Sequence, residues 1–321
     1  VFRLRIRLAG LIEAACALVI AGTIAGFFGS WAWPLALFDH FRLHYALGAL
    51  VLTGLALWAS RHRWAVAVAV VGALNFALTP AVFSLPGGWG EDEAGEGHEL
   101  VLSTINVLTA NRAYPEVVAL VRETGPDVLL LVETSHDWIL GLADLLDDYR
   151  LVIAHPRGDN FGMALYVRHG RAATAELWYP GAAGLPAIEA AVTLDDGGTL
   201  RVYGLHPPPP GRSDYAEEND RVLREAAARI AARPPGPAVA LGDFNTTPWA
   251  VDFRRFERDS GLADSARGHG YLATWPTLAA PVLRIPLDHV LVSPDLSVTR
   301  RWLGPSIGSD HLPLFVAVRM P

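Results

Sequence analysis

Lysine is absent from these 321 residues. All 26 basic side chains are arginine, and Ala, Gly and Pro are abundant, the usage of a GC-rich coding sequence. Cysteine occurs once, at Cys16 within a hydrophobic run, which excludes a disulfide or a cysteine-based metal centre within the chain and leaves a buried, inert thiol. Charge is scarce in the first quarter, where residues 1–85 carry only Arg3, Arg5, Arg7, Glu13, Asp39, Arg42, Arg61 and Arg63. Such a stretch lacks the solvated surface of a globular domain, whereas the sequence after Pro86 has an ordinary charge density. The average composition therefore hides two materials, and there is no internal repeat.

What the first quarter does contain is apolar length. Three stretches stand out, Leu8 to Phe28, Tyr45 to Ser60 and Trp64 to Leu85. A helix rises about 1.5 Å per residue, so roughly 20 residues cross a hydrocarbon core about 30 Å thick. The first and third stretches meet that length, and the second does so when extended back to Phe41, with Arg42 and His44 snorkelling to the headgroups. Arg3, Arg5 and Arg7 precede the first stretch, and Arg61 and Arg63 separate the second from the third. The positive-inside rule makes both segments cytoplasmic, so three spans put the remainder of the chain outside the cell membrane. Trp31, Trp33 and Trp89 then fall at the outer interface and Trp58 and Trp64 at the inner one. A signal-peptide reading of the first stretch is disfavoured because no small-residue cleavage site follows it and two more spans do. Glu13 is read as a solvated or snorkelling group at the cytoplasmic end.

The expected organisation is a three-helix transmembrane anchor over 1–85, a flexible acidic linker over 86–97 that includes Glu91-Asp92-Glu93, and a globular domain over 98–321. In the last part the apolar patterning predicts strands over Leu100–Asn106, Val128–Val132, Leu151–Ala154, Met163–Arg168, Ala187–Leu194, Leu200–Leu205, Ala238–Leu241, His289–Val292 and Leu314–Val318. Helical periodicity covers Tyr114–Glu123, His136–Leu146 and Asp214–Ala232. Such mixing points to a layered α/β domain.

Polar residues punctuate the strand ends, where an α/β sheet presents its site. They are Asn106, Glu133, His206, Asp243 and Asn245 in Gly-Asp-Phe-Asn, Asp288 in Leu-Asp-His, and Asp310 with His311 in Ser-Asp-His. Carboxylate and amide oxygens are hard ligands that suit Mg²⁺ and its bridging to phosphate. A carboxylate can also deprotonate an attacking water, while His or Asn donates to phosphoryl oxygens. Zinc would call for a tighter, His-rich constellation.

In this order, these motifs resemble the endonuclease/exonuclease/phosphatase superfamily, which includes DNase I-like nucleases, neutral sphingomyelinases and inositol-polyphosphate phosphatases. The resemblance runs from Asn106 to His311 and implies a four-layer α/β sandwich (DNase I-like), here preceded by three transmembrane α-helices. It implies a Mg²⁺ cofactor, with Mn²⁺ as an alternative. Glu133 is then the principal metal ligand, with Asn106 beside it and Asp310 near the metal. Asp243 positions the nucleophilic water, Asn245 contacts a phosphoryl oxygen, His311 contacts the phosphoryl group and is oriented by Asp288, and His206 is a second donor or acid.

Alone, an Asp or Asn at a strand end is more often a turn or cap residue than a ligand; the ordered set is what carries the functional reading. His289 is read as structural and Trp275 as a packed core aromatic. Arg157 and Asn160 are candidate phosphate contacts, and Pro207 to Pro210 depart from most of the superfamily and stiffen the rim after His206. Residues 98–321 carry 20 Arg against 27 acidic groups, which opposes general nucleic-acid binding. Tethering to the bilayer favours a substrate in or on the membrane. The arrangement is similar to the teicoplanin-resistance membrane proteins of this superfamily, implicated in handling undecaprenyl-linked phosphates. The expected activity is a membrane-anchored Mg-dependent phosphoesterase acting on an extracytoplasmic lipid-linked phosphate or pyrophosphate. The alternatives are a phospholipid or sphingomyelin-type phosphodiesterase, a nuclease, or a membrane-tethered non-catalytic binding domain.

Overall fold

The computed structural model describes residues 2–29, 31–79 and 99–320. The chain opens with helices α1 (Phe2–Phe27), α2 (Trp33–Ala36), α3 (Arg42–Trp58) and α4 (His62–Ala77), with a 3-10 turn over Leu37–Phe41 joining α2 to α3. Two apolar helical runs are long enough to cross a membrane, Leu8–Phe27 and the continuous Trp33–Trp58. The second is longer than the sequence pattern suggested, because Pro34 starts a helix whose turns continue through Leu37–Phe41 into α3. The third, His62–Ala77, has 16 residues and does not reach that length, so among the described residues two helices, not clearly three, are candidate spans. Residues 80–85 of the third predicted stretch and the whole 86–97 linker lie outside the described residues.

Small residues let these helices approach closely: a Cβ on Gly72 would lie 2.8 Å from the Ala49 side chain. Asn75 Nδ2 donates to Thr23 Oγ1 across the bundle at 2.8 Å. At the far end Arg61 pairs with Glu13 at 2.7 Å, so Glu13 has a partner as well as solvent. At the near end His40 Nδ1 lies 3.1 Å from Thr247 Oγ1 of the following domain.

That domain contains twelve strands: β1 (Glu99–Asn106), β2 (Val128–Val132), β3 (Tyr149–His155), β4 (Met163–Arg168), β5 (Ala173–Trp178), β6 (Ala187–Thr193), β7 (Thr199–Leu205), β8 (Ala238–Asp243), β9 (Ala263–Asp264), β10 (Asp288–Val292), β11 (Ser297–Leu303) and β12 (Leu314–Arg319). They form two six-stranded sheets, ordered β11-β12-β1-β2-β4-β3 and β5-β6-β7-β8-β10-β9. The period of two distributes side chains between layers. In β2, Val128, Leu130 and Val132 join the core between the sheets, together with Val202, Val239, Leu241 and Val290 of the second sheet. The alternate residues Leu129 and Leu131 face the outer helices α5 (Tyr114–Thr124) and α6 (His136–Gly141). On the other side Tyr203, Ala238 and Ala240 meet α7 (Ser213–Ala231) and α8 (Val251–Ser260).

Local sequence explains the helix ends. Pro115 starts α5, whose missing N–H costs nothing there, and Gly125 ends it at φ 56°. Helix α7 buries Val222, Leu223, Ala226, Ala227 and Ile230, a single stripe at helical spacing.

This topology gathers the polar strand ends. Strands β1 and β2 are parallel, as are β7 and β8, so their C-terminal ends share one edge. Strand β10 runs antiparallel to β8 and β12 antiparallel to β1, which brings the starts of β10 and β12 to that same edge.

Candidate active site

Asn106 ends β1, and Glu133 immediately follows β2. Asn106 Nδ2 donates to Glu133 Oε1 at 2.9 Å and to Asp243 Oδ2 at 3.1 Å, bridging one sheet to the other. Its Oδ1 accepts the Leu108 N–H at 3.0 Å, so in this arrangement the amide offers hydrogens, not oxygen, to the carboxylates. Glu133 sits at φ 62°, a left-handed conformation uncommon for Glu. Thr109 holds it there, with Oγ1 donating to the Glu133 carbonyl at 2.9 Å and N–H donating to Oε2 at 3.4 Å. Leu108, Asn160 and Asn245 around the site also have positive φ, so backbone strain concentrates here.

Asp243 ends β8 and opposes Asp288 at the start of β10. His311 connects the two: Nδ1 lies 2.7 Å from Asp288 Oδ2 and Nε2 lies 3.5 Å from Asp243 Oδ2. His206, after β7, places Nε2 3.8 Å from the same Asp243 oxygen, and its buried Nδ1 has no protein partner. Gly242 makes this packing possible, since a Cβ there would lie 1.8 Å from the Leu205 carbonyl oxygen.

Burial and charge set the protonation pattern. Burial pushes the Glu133 carboxyl up to about 7; the Asn106 hydrogen bond opposes this and the Asp243 charge adds to it. Burial likewise raises Asp243, against the lowering influence of His311. Burial lowers His206 despite the nearby Asp243. His311 is the opposite case: burial alone would lower it, but the Asp288 and Asp243 carboxylates raise it to about 10.

Asp243, Asp288 and His311 bring potential ligand atoms within 4.8 Å of one another. A metal fits poorly among them, because a histidinium whose nitrogens face two carboxylates has no lone pair to give. The Glu133 side fits a hard divalent cation better. Its carboxyl is raised by desolvation as expected where a cation is needed, and Asp310 nearby in the same cavity carries a buried Oδ1 with no protein partner.

A cavity of about 550 Å³ covers these groups, lined by Glu133, His206, Asp243, Asn245, Asp310 and His311. Asn106 and Asp288 lie beneath it, and Asn160 lies on its wall. Asn245 Nδ2 donates to the Pro207 carbonyl at 3.0 Å, tying its loop to the proline-rich rim. Arg157 does not line the cavity, because its guanidinium grips Asp159 at 2.8 Å. His289 faces away on β10, 2.9 Å from the Thr246 carbonyl.

Trp275, which the sequence suggested was core, lines the cavity and donates Nε1–H to Asp310 Oδ2 at 3.1 Å. Thr109, Phe161, Tyr215 and Leu37, His40 and Phe41 of the N-terminal segment carry no sequence signal for this site. Thr109 could have been sought only by its closeness to Asn106.

Two stacked sheets with this carboxylate, imidazole and amide cluster at one edge define a metal-dependent hydrolase of phosphoric esters. The chain belongs to the endonuclease/exonuclease/phosphatase family, whose model matches residues 103–311. Solved structures share the fold. An endonuclease/exonuclease/phosphatase family protein of Bacteroides thetaiotaomicron is 18% identical, covering 70% of this chain and 96% of its own, with a TM-score of 0.55. The mannosyl-6-phosphatase of Bacteroides thetaiotaomicron VPI-5482 is 19% identical, with 68% and 99% covered and a TM-score of 0.53. The TDP2 of D. rerio, complexed with single strand DNA product, is 16% identical, with 68% and 98% covered and a TM-score of 0.56. No curated protein sequence matches the chain.

Proposed function

We propose that this protein is a membrane-anchored phosphoesterase that hydrolyses an extracytoplasmic lipid-linked phosphate or pyrophosphate, of undecaprenyl type. The observation that carries this reading is the composition of the 550 Å³ cavity. His206, Asp243 and His311 line it together with Leu37 and Phe41, which belong to the apolar segment between α1 and α3. A phosphate drawn into the site therefore leaves its attached chain beside membrane-type surface. The anchor comprises residues 1–85 with α4 as the start of a third span, 86–97 is a linker, and 98–321 is the catalytic domain. The arginine distribution supports a cytoplasmic N-terminus and an external domain.

Glu133 and Asp310, with Asn106 beside them, would hold Mg²⁺, or Mn²⁺ in its place, which supplies Lewis-acid stabilisation of phosphoryl charge. Asp243, raised by burial, accepts the proton of an attacking water as its oxygen bonds to phosphorus. His311 stays protonated and donates through Nε2–H to a phosphoryl oxygen, while Asp288 holds its Nδ1–H. Asn245 lines the cavity and would offer an amide hydrogen to another phosphoryl oxygen, and His206, kept neutral by burial, would give the leaving oxygen a hydrogen bond from its ring N–H as the phosphorus–oxygen bond breaks. Asn160, at the wall, contributes a further phosphate contact; Arg157 would do so only by releasing Asp159.

The test is an assay of the full chain in detergent on polyprenyl pyrophosphate, phospholipids and DNA, with and without Mg²⁺. Metal-dependent phosphate release from the polyprenyl substrate in preference to the others is expected. Faster cleavage of DNA, or no metal-dependent release from any of them, overturns the reading.

A further inference from the structure

Between Trp275 and Ile285, which both line the cavity, the chain leaves the domain and returns. The neck is closed by paired backbone bonds, Trp275 N–H to Ile285 O at 3.0 Å and Ile285 N–H to Trp275 O at 2.6 Å. The excursion carries six consecutive apolar residues, Leu278-Ala279-Ala280-Pro281-Val282-Leu283. All but Ala279 are exposed, Leu278 at 97%, Val282 at 60% and Leu283 at 59%. An exposed apolar run of this length has no role in a water-facing loop.

The polar groups of the loop are turned inward. Arg284 donates from Nε to the Ala279 carbonyl at 3.0 Å and from Nη2 to the Thr277 carbonyl at 2.9 Å. Ala279 N–H bonds to Pro276 O at 3.1 Å, Leu283 N–H to Ala280 O at 2.8 Å, and Thr277 N–H to Asp310 O at 2.9 Å. A loop with most of its backbone carbonyls bonded from within and its apolar side chains pointing out suits shallow insertion among lipids, where the remaining N–H groups reach the headgroup level. The position of the loop identifies what covers it. His44, in the first turn of α3, lies against the backbone of Val282 and Leu283, so the apolar surface continues directly onto a helix of membrane-spanning length. Phe38 and Phe41, on the turn leading into that helix, are also exposed, at 40% and 41%.

We propose that the loop 276–284 inserts into the outer leaflet beside the active-site mouth, and that the cavity opens to the bilayer between this loop and the Leu37–Phe41 turn. The occupant of its apolar tip is the acyl region of the phospholipid bilayer. The proposal rests on the membrane-anchored reading above.

Leu278→Cys and, separately, Leu18→Cys, each in a Cys16→Ala background, would be labelled with an environment-sensitive fluorophore and the full chain placed in phospholipid nanodiscs. Leu278 is almost wholly exposed, so its replacement does not disturb folding. Leu18, 73% exposed on α1, reports the anchor itself. The expected result is blue-shifted emission at both positions, with Leu278 quenched most by nitroxide lipids labelled near the headgroup and Leu18 most by those labelled deep in the chain. Quenching at Leu18 with water-like, iodide-quenched emission at Leu278 overturns the loop proposal and leaves the anchor standing. A blue shift at Leu278 without lipid quenching means that a second copy or another protein covers the loop, and also overturns it. Absence of lipid quenching at Leu18 overturns the anchor and the loop proposal together.

Discussion

His311 Nδ1 lies 2.7 Å from Asp288 Oδ2 while Nε2 faces Asp243 at 3.5 Å, so a single buried imidazole, carried on the loop that leads into β12 of one sheet, ties the start of β10 to the end of β8 in the other. The two carboxylates hold it protonated up to about pH 10. Replacing Asp288 by Asn removes the larger of these influences, so the histidine should lose its proton nearer the ordinary value of 6.5. Turnover of Asp288→Asn is expected to fall by roughly 10²–10⁴-fold at neutral pH, as for loss of a positioned proton donor. Part of that activity should return as the pH is lowered. Groups acting as one unit lose activity non-additively, so Asp288→Asn with His311→Ala should be scarcely worse than His311→Ala alone. Additive losses on folded protein at saturating metal would dissolve the pair.

Glu133 provides a test in the metal-free state. Its carboxyl is raised from 4.5 to about 7 in the fold, so its contribution to stability is fully present below pH 4.5 and is lost as pH rises through about 7. Metal-free protein should lose at most about 3 kcal/mol across that window from this group. Glu133→Gln should flatten the dependence, read from thermal unfolding in chelator at several pH values. Metal-dependent turnover should drop by about 100-fold or more, since changes one shell further from a metal already cost 10–100-fold. Unchanged activity with unchanged metal dependence would remove Glu133 from the metal site.

Gly242 is a backbone requirement of the site. It has φ 147°, and an added methyl would collide with the Leu205 carbonyl at 1.8 Å. Its own strand β8 ends in Asp243 and His206 follows the neighbouring β7, and Gly242→Ala should cost about 3 kcal/mol or more by strain at a special conformation. Activity should fall with stability as Asp243 and His206 separate. A variant as stable and active as the parent would show that β7 and β8 can part here without consequence.

The sequence made the centre of the domain legible and its margins obscure. Strands β2 and β4 match their apolar runs residue for residue, because both faces are buried and no polar residue interrupts them. Strands β5 and β11 went unread; each is a sheet edge with half-covered, polar-rich sequence, as in Ser-Val-Thr-Arg-Arg-Trp-Leu. Helix α8 was missed for a similar reason, since among ten mostly charged residues it buries only Phe253, Phe256 and Ser260. The polar site residues announced themselves at strand ends. Trp275 and the Leu37–Phe41 turn did not, because their nearness to the site arises from loop packing and from the N-terminal helices packing against the domain.

The orientation proposed from charge is tested directly. If Arg3, Arg5, Arg7, Arg61 and Arg63 lie on the cytoplasmic side of three spans, a C-terminal alkaline-phosphatase fusion should be active in cells, and a cytoplasmic reporter at the same end silent. The reverse pattern would also remove the extracytoplasmic substrate from consideration.

The contact between His40 and Thr247 offers the last test, because it joins the N-terminal helices to the loop that follows Asp243 and Asn245. Both side chains are buried, with Nδ1 and Oγ1 3.1 Å apart, and Leu37 and Phe41 flank the histidine on the cavity wall. Thr247→Val keeps the shape and removes the hydroxyl, leaving a buried ring nitrogen without its partner at a cost of about 1–3 kcal/mol. That cost falls on the docking of the turn against the domain, since Thr247 otherwise keeps its packing. Amide exchange over residues 37–41 should therefore accelerate while exchange in β8 and β10 stays unchanged. For the lipid-linked substrate proposed above, KM should rise more than kcat falls, because the wall beside its attached chain would be loosened and the reacting groups would not. Thr247→Ser, which restores the hydroxyl, should recover both readouts. Equal exchange rates in Thr247→Val and Thr247→Ser would show that the hydroxyl does not hold the anchor to the site.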